Sequence, residues 1–410
     1  MKMKITVFIM IFALWAVGCV NNVGPDPLPD DIVLTQKSAS LVKSGNLFTF
    51  NLLKKMPANE GHNMMVSPLS ISLAFSMVLN GADGETKNAI LNSLGLEGLS
   101  VDEINQIYFD LITALEKADP NVVMNIANSI WIRKGYPVLE PFIVTNKKYF
   151  DARVEALDFD QSALAIINDW VNVKTNAKIP RILDQISSDE IMFLINAIYF
   201  NGKWSVQFEK GNTENGSFSL TSGSTVSVPL MKIKDDYGYS EQSGYRALKM
   251  PYGRGKFNMV LLLPEEGNSV DQLIGQLNPA VWDGIKSALV GTAKVDTWIP
   301  RLKFSWESEL KDILSSMGMA VAFSKTEANF SKINSTDQLF ITKVKHKTFI
   351  EVNEEGTEAA GVTSIGIGVT SIGPGGPQFH ATRPFLFFIT EEDTGAILFA
   401  GKVMNPLLTN

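Results

Sequence analysis

Residues 351–385 read EVNEEGTEAAGVTSIGIGVTSIGPGGPQFHATRPF, from Glu351 to Phe385. Between Gly356 and Gln378 this stretch carries almost no large side chain, and after Glu358 it has no charge. So long a run without structure of its own inside a compact domain needs an explanation. A period of two supplies one. Thr357, Ala359, Gly361, Thr363, Ile365, Ile367 and Val369 fall on one face; Glu358, Ala360, Val362, Ser364, Gly366 and Gly368 fall on the other. The first face grows more apolar toward its end while the second stays mostly small or polar, the pattern of a strand buried on one face. The glycines lower its tendency to form a strand alone. The segment reads as a strand held out of a sheet.

Outward from this stretch, helical periodicity runs through Leu47–Met56, Ile71–Leu79, Val101–Leu115, Ala163–Lys174 and Glu307–Met317. Strand-like runs occupy Ile126–Arg133, Ile191–Phe200, Asn258–Leu263, Leu339–Glu351, Phe385–Ile389 and Ala396–Val403. Helices dominate the N-terminal half and strands the C-terminal half. This predicts an α+β fold with large, mostly antiparallel sheets rather than alternating βαβ units. From about Ile32 onward no linker breaks the chain before Gly361–Pro377, so a single domain accounts for it.

The composition excludes several function classes. With 410 residues, 45% of them apolar, the chain can build a sizeable core. Its 36 basic and 43 acidic side chains give a formal charge of −7, which speaks against nucleic acid as a partner. One cysteine permits neither an intrachain disulfide nor a Cys-rich metal site. The only histidines are His62, His346 and His380, and no HExxH, GxxxxGK[ST], CxxC or GxSxG motif occurs. Gly366-Ile367-Gly368 lacks the third glycine of a dinucleotide loop, and Pro374 and Pro377 forbid a following helix. Neither a metal nor a cofactor is expected. Lys343, Lys345 and Lys347, alternating around His346, read as a solvated strand face, and His62 and His380 as surface residues.

The N-terminus reads as a targeting segment. Lys2 and Lys4 precede an uncharged run from Ile5 to Gly18, too short to span a bilayer but suited to a signal-peptide core. Ala16-Val17-Gly18-Cys19 resembles a bacterial lipobox, with alanine where leucine is usual, so Cys19 is expected to carry a lipid. Residues 1–18 are then the signal peptide, and 19–35 the lipid-bearing cysteine with a proline-rich tether. The protein is expected outside the cytoplasm, anchored to a bacterial outer membrane or cell surface or else secreted. That anchor is its only expected contact with a membrane.

Several stretches together carry a family resemblance. Glu354-Glu355-Gly356-Thr357-Glu358-Ala359-Ala360, with Gly361, is similar to the hinge of inhibitory serpins, and Arg383-Pro384-Phe385-Leu386-Phe387 to their C-terminal signature. Asn63 with Ser67-Pro68-Leu69-Ser70 resembles the region under the main sheet called the shutter, where His346 also belongs. Asn196-Ala197-Ile198-Tyr199-Phe200-Asn201-Gly202-Lys203-Trp204 resembles the strand leading to the breach tryptophan. Ile167-Asn168-Asp169-Trp170-Val171 through Thr175 and Lys178-Ile179 is a further match, and the resemblance covers residues 36–406. Ala177 stands where the family customarily has glycine, and Thr382 where it has an acid or amide.

The resemblance implies a serpin fold: several helices packed on three mostly antiparallel sheets, in one domain over 36–410 with a reactive loop at about 354–379. It implies no catalysis. A target serine protease cuts the loop, and the cut strand then inserts into the main sheet and traps the acyl-enzyme. Counting seventeen residues from Glu354 puts the reactive bond at Thr370–Ser371, with Val369, Ile367 and Ile372 setting specificity. The loop has no Arg or Lys between Gly356 and Pro377, so elastase-like or subtilisin-like enzymes are the expected targets of a monomeric inhibitor. GVTSIG occurs at 361–366 and again at 368–373, so Thr363–Ser364 is a second bond of the same chemistry. The alternatives are trapping of papain-like cysteine proteases, or a carrier or chaperone member cleaved as a plain substrate.

Overall fold

The computed structural model describes residues 31–56, 61–357 and 376–409; the signal-peptide and Cys19 readings lie outside them. In chain order the elements are α1 (Gln36–Lys55), β1 (Met64–Val66), α2 (Pro68–Leu79), α3 (Gly84–Leu94), α4 (Val101–Lys117), β2 (Val122–Arg133), α5 (Glu140–Phe150) and β3 (Arg153–Leu157). There follow α6 (Gln161–Lys174), β4 (Met192–Lys203), β5 (Glu214–Ser219), β6 (Thr225–Gln242), β7 (Tyr245–Tyr252) and β8 (Phe257–Pro264). Next come α7 (Val270–Gln276), α8 (Pro279–Ala288), β9 (Thr292–Pro300), β10 (Leu302–Glu309) and α9 (Lys311–Leu314). The chain closes with β11 (Lys345–Asn353), β12 (Gly356–Thr357), β13 (Gln378–His380), β14 (Phe385–Glu391) and β15 (Ile397–Val403).

Local chemistry sets many of these boundaries. Ser67 caps α2, accepting a hydrogen bond from Ser70 N–H, and Pro68 fills the first helical position, where its missing donor costs nothing. Ser100 and Glu103 form a reciprocal capping box on α4, as Ser269 and Gln272 do on α7. Two of the sequence boundaries shift. The helical periodicity over Glu307–Met317 gives way to β10 as far as Glu309, because those residues pair with β11; from Lys311 the chain is helical as expected, α9 running on into a π turn over Ser315–Met319. The strand-like run from Leu339 becomes ladder only at Lys345.

Among the described residues the strands make two hydrogen-bonded sheets. One has the order β1-β15-β14-β8-β7-β6-β9-β13, with β5 on β6; the other has the order β10-β11-β12-β4-β2-β3. The remaining two of the three expected sheets are continuous, because β6 is 18 residues long and runs through both. Pairing is antiparallel except for β13 on β9 and β3 on β2. Every residue of β8, β14 and β15 is buried, so these strands read as mostly apolar runs, broken only by Asn258, Thr390, Glu391, Gly401 and Lys402. Nearly all of α2 is buried too. A smaller cluster, with Trp131, Ile167, Trp170, Phe193 and Ile195, fills the space between the second sheet and α6.

Candidate functional site

The second sheet is split. β11 pairs with β12 and β12 with β4, but β12 is only Gly356–Thr357, and below it no ladder joins β4 to β11. Between them lies a cleft of about 400 Å³, walled by Met192–Ile198 and Lys343–Thr348. Ser67, Ser70, Ile71 and Phe75 of the α2 region line it on one side, and Val171, Ile179 and Leu183 on the other. It lies in line with β12, between two strands that no ladder joins among the described residues.

The chain leading to the cleft is held tightly. Glu354, almost fully buried, pairs with Arg301 and receives the Thr213 hydroxyl. Burial pushes its carboxyl up, but the hydrogen bonds from Arg301 and Thr213 outweigh burial and hold it below the usual range. Glu355 pairs with Lys210 at 2.7 Å. Trp204 donates its backbone N–H to Glu355 O at 2.9 Å and its indole N–H to Asn353 O at 2.9 Å. Gly356 has φ +152°, and a Cβ there would stand 2.1 Å from Gly202 O, so only glycine permits this approach. Thr357 is 3% exposed and its hydroxyl meets Tyr252 Oη at 2.5 Å.

Halfway down the cleft the polar residues converge. His346 Nε2 accepts a hydrogen bond from Ser67 N–H at 3.0 Å, and burial pushes the imidazole down to about 4, so it is neutral. Ser67 Oγ donates to Leu398 O, and Thr348 Oγ1 to Met65 O. Asn196 donates to Asn128 Oδ1 at 2.8 Å, while its own Oδ1 is buried with no hydrogen-bond partner among the described residues. Lys343 reaches from the β11 bank to the buried Glu190 on the β4 bank.

The sequence reading and the structure can now be compared. Ser67, Ser70, Asn196 and His346 do come together at the cleft, with Pro68 starting the helix beneath it. Trp204 sits at the hinge. Asn63 instead ties down the C-terminal chain, bonding Met404, Asn405 and Leu408. The expected solvated lysine face is partly buried and paired: Lys345 and Lys347 both reach Glu307 on β10. His62 is exposed, whereas His380 stacks on Trp298. Glu358, Ala359, Ala360, Gly361, Ile367, Val369, Thr370, Ser371 and Ile372 lie outside the described residues. Tyr252, Arg301, Lys210 and Thr213 were not legible as hinge partners, since nothing in the sequence links positions so far apart. Ala177 has φ +61°, the left-handed conformation that explains glycine as the customary residue there.

A family model described as "Serpin (serine protease inhibitor)" matches residues 43–406. An uncharacterized serpin-like protein of Methanosarcina acetivorans is 31% identical, over 99% of this chain and 98% of that protein. Neuroserpin of Rattus norvegicus is 35% identical over 86% of this chain and 88% of its own. The crystal structure of a thermophilic serpin, tengpin, in the native state superposes with a TM-score of 0.83 at 29% identity, over 92% of this chain and 96% of that one.

Proposed function

The chain belongs to the serpin family, and on that premise we propose that it is a suicide-substrate inhibitor of serine endopeptidases with elastase-like or subtilisin-like specificity. The observation that carries this reading is β12: the hinge already begins a strand in the gap between β4 and β11, with Thr357 opposite both Gly202 and Val352. Continuing that register after cleavage would set Ala359 between Phe200 and Ile350, and Gly361 between Ile198 and Thr348. Thr363 would arrive between Asn196 and His346, where its hydroxyl can donate to the unpartnered Asn196 Oδ1. Ile365 would lie between Leu194 and Val344. Each inward residue of the loop thus meets a wall that suits it.

Burying such a strand releases energy that the intact protein stores. Seven inward side chains at about 1 kcal/mol each, with ladder hydrogen bonds added, give on the order of 10 kcal/mol. The loop acts as substrate up to the acyl-enzyme; insertion then drags the enzyme away and distorts it before water completes hydrolysis. The reactive bond is Thr370–Ser371, with Val369, Ile367 and Ile372 filling shallow apolar subsites. A cut at Thr363–Ser364 leaves too short a strand to insert and inactivates the protein. Cys19 holds this monomeric inhibitor on a membrane outside the cytoplasm.

Incubation with a neutrophil-type elastase and denaturing electrophoresis tests the reading. The expected result is a covalent complex together with a released peptide that begins at Ser371. Two fragments and a fully active protease would point to the non-inhibitory members of the family.

A further inference from the structure

We propose that Asn329 is the acceptor of an N-linked oligosaccharide, attached outside the cytoplasm by an oligosaccharyltransferase of the bacterial kind. This inference rests on the extracytoplasmic placement proposed above and on no part of the insertion mechanism. The sequence holds three Asn-x-Ser/Thr triplets: Asn215-Gly216-Ser217, Asn329-Phe330-Ser331 and Asn334-Ser335-Thr336. Such a triplet is an acceptor signal for N-linked sugar, the hydroxyl docking on the transferase while the amide nitrogen reacts. Bacterial enzymes of this class also take an acidic side chain two residues before the asparagine. Asn329 has Glu327 there, whereas Asn215 has Thr213 and Asn334 has Lys332.

The fold makes the same choice. Asn334 is 3% exposed and fully engaged: its Oδ1 accepts from the Thr336 and Asp337 N–H groups, and its Nδ2 donates to Pro137 O at 2.9 Å. The Thr336 hydroxyl that a transferase would need is turned back on Asn334 Oδ1 at 2.9 Å. Asn215 is exposed, but it lies in the six-residue ladder of β5 on β6, opposite Pro229. Turning it into an enzyme cleft would break that ladder.

Asn329 stands in an irregular segment after Phe323. Ala328 and Phe330 are buried on either side of it, which leaves Asn329 and Ser331 exposed. Its backbone makes two hydrogen bonds, to the Thr86 hydroxyl and from Asp83 N–H. Ser331 N–H donates to Asn329 Oδ1 at 3.1 Å, which orients the carboxamide and leaves Nδ2 without a hydrogen-bond partner among the described residues. Glu327 is exposed and in no ion pair among the described residues, so its carboxylate is free for a cation of the enzyme.

In the reaction Asn329 Nδ2 attacks C1 of a sugar carried on a lipid pyrophosphate. The N–C1 bond forms as the bond from C1 to the pyrophosphate oxygen breaks. The lipid pyrophosphate leaves with that electron pair, and the amide gives one proton to a carboxylate of the transferase. The sugar then stands on the outer side of a segment whose Phe330 and Ile333 line the cleft. It covers Lys325 and Lys332, the basic cleavage points of that wall.

Peptide mapping tests this on the full chain, produced in a bacterium that carries such a transferase and its lipid-linked oligosaccharide. Trypsin releases residues 326–332 as one peptide that contains Asn329. In protein recovered from the cell envelope this peptide should carry the mass of the oligosaccharide. Asn329→Gln and Ser331→Ala should lose it completely, Glu327→Gln should lose most of it, and Asn215→Gln should change nothing. An unmodified 326–332 peptide in exported wild type overturns the proposal, as does attachment at Asn215 or Asn334 in its place. The same chain behind a standard export leader separates the two readings. If that form alone is modified, the acceptor site stands and the extracytoplasmic placement falls; if it is exported and stays unmodified, the site itself falls.

Discussion

The hydroxyls of Tyr252 and Thr357 lie 2.5 Å apart in a buried site, with the Tyr252 ring stacked on Trp204 at 4.4 Å. The first inward residue of the hinge is therefore fixed before any cleavage. Tyr252→Phe leaves the Thr357 hydroxyl buried without its partner and should cost about 1–3 kcal/mol. Tyr252→Phe combined with Thr357→Val removes both polar groups and should recover most of that loss. Urea unfolding of the intact single and double variants measures the difference; additive losses would show that the two hydroxyls do not interact.

Thr357 has no room for a larger side chain between Gly202, Val352 and Tyr252. Thr357→Arg should therefore stall insertion at its first step. The protease is then released active after cutting, and the number of inhibitor molecules consumed per enzyme rises at least tenfold. An unchanged stoichiometry would count against insertion through this hinge.

His346 sets an acid limit on the intact state. Burial holds its imidazole at about 4 against an ordinary value near 6.5, so the folded protein binds this proton later than the unfolded chain does. The stability involved is complete above pH 6.5 and is lost as pH falls toward 4, on the order of 3 kcal/mol in all. Thermal unfolding between pH 7 and 4 should show this decline, and His346→Gln should flatten it by one proton. An equal slope in the variant would mean that His346 is not the group.

Ala177 lies in the segment after α6, at φ +61°. Ala177→Gly should relieve the strain and raise stability by up to about 1 kcal/mol, even though glycine also loosens the unfolded chain. The gain should appear as a small rise in unfolding temperature of the intact protein. A fall would mean that the entropy of the unfolded chain dominates.

How much of this was written in the sequence follows from what each feature depends on. The two-residue period of 357–369 needs only local alternation, and it predicted the inward face that Thr357 takes beside Tyr252. The clustering of Ser67, Asn196 and His346 was legible only by resemblance, because positions hundreds of residues apart meet through sheet topology. The partners of the hinge were not legible at all. Arg301, Lys210 and Thr213 are ordinary polar residues, and the fold alone brings them to Glu354 and Glu355. The lysines around His346 misled because alternation marks a face without saying that Glu307 of β10 waits beside it. The gap itself could not be read, since it is the absence of a ladder between β4 and β11.

The central claim is that the cleft between β4 and β11 receives the cut loop. Unfolding temperature measured before and after cleavage at Thr370–Ser371 tests it most directly. Completing the sheet should stabilise the cleaved protein by on the order of 10 kcal/mol, a rise of roughly 10–20 °C for a domain of this size. A cleaved protein that unfolds at the temperature of the intact one, or below it, would contradict the account.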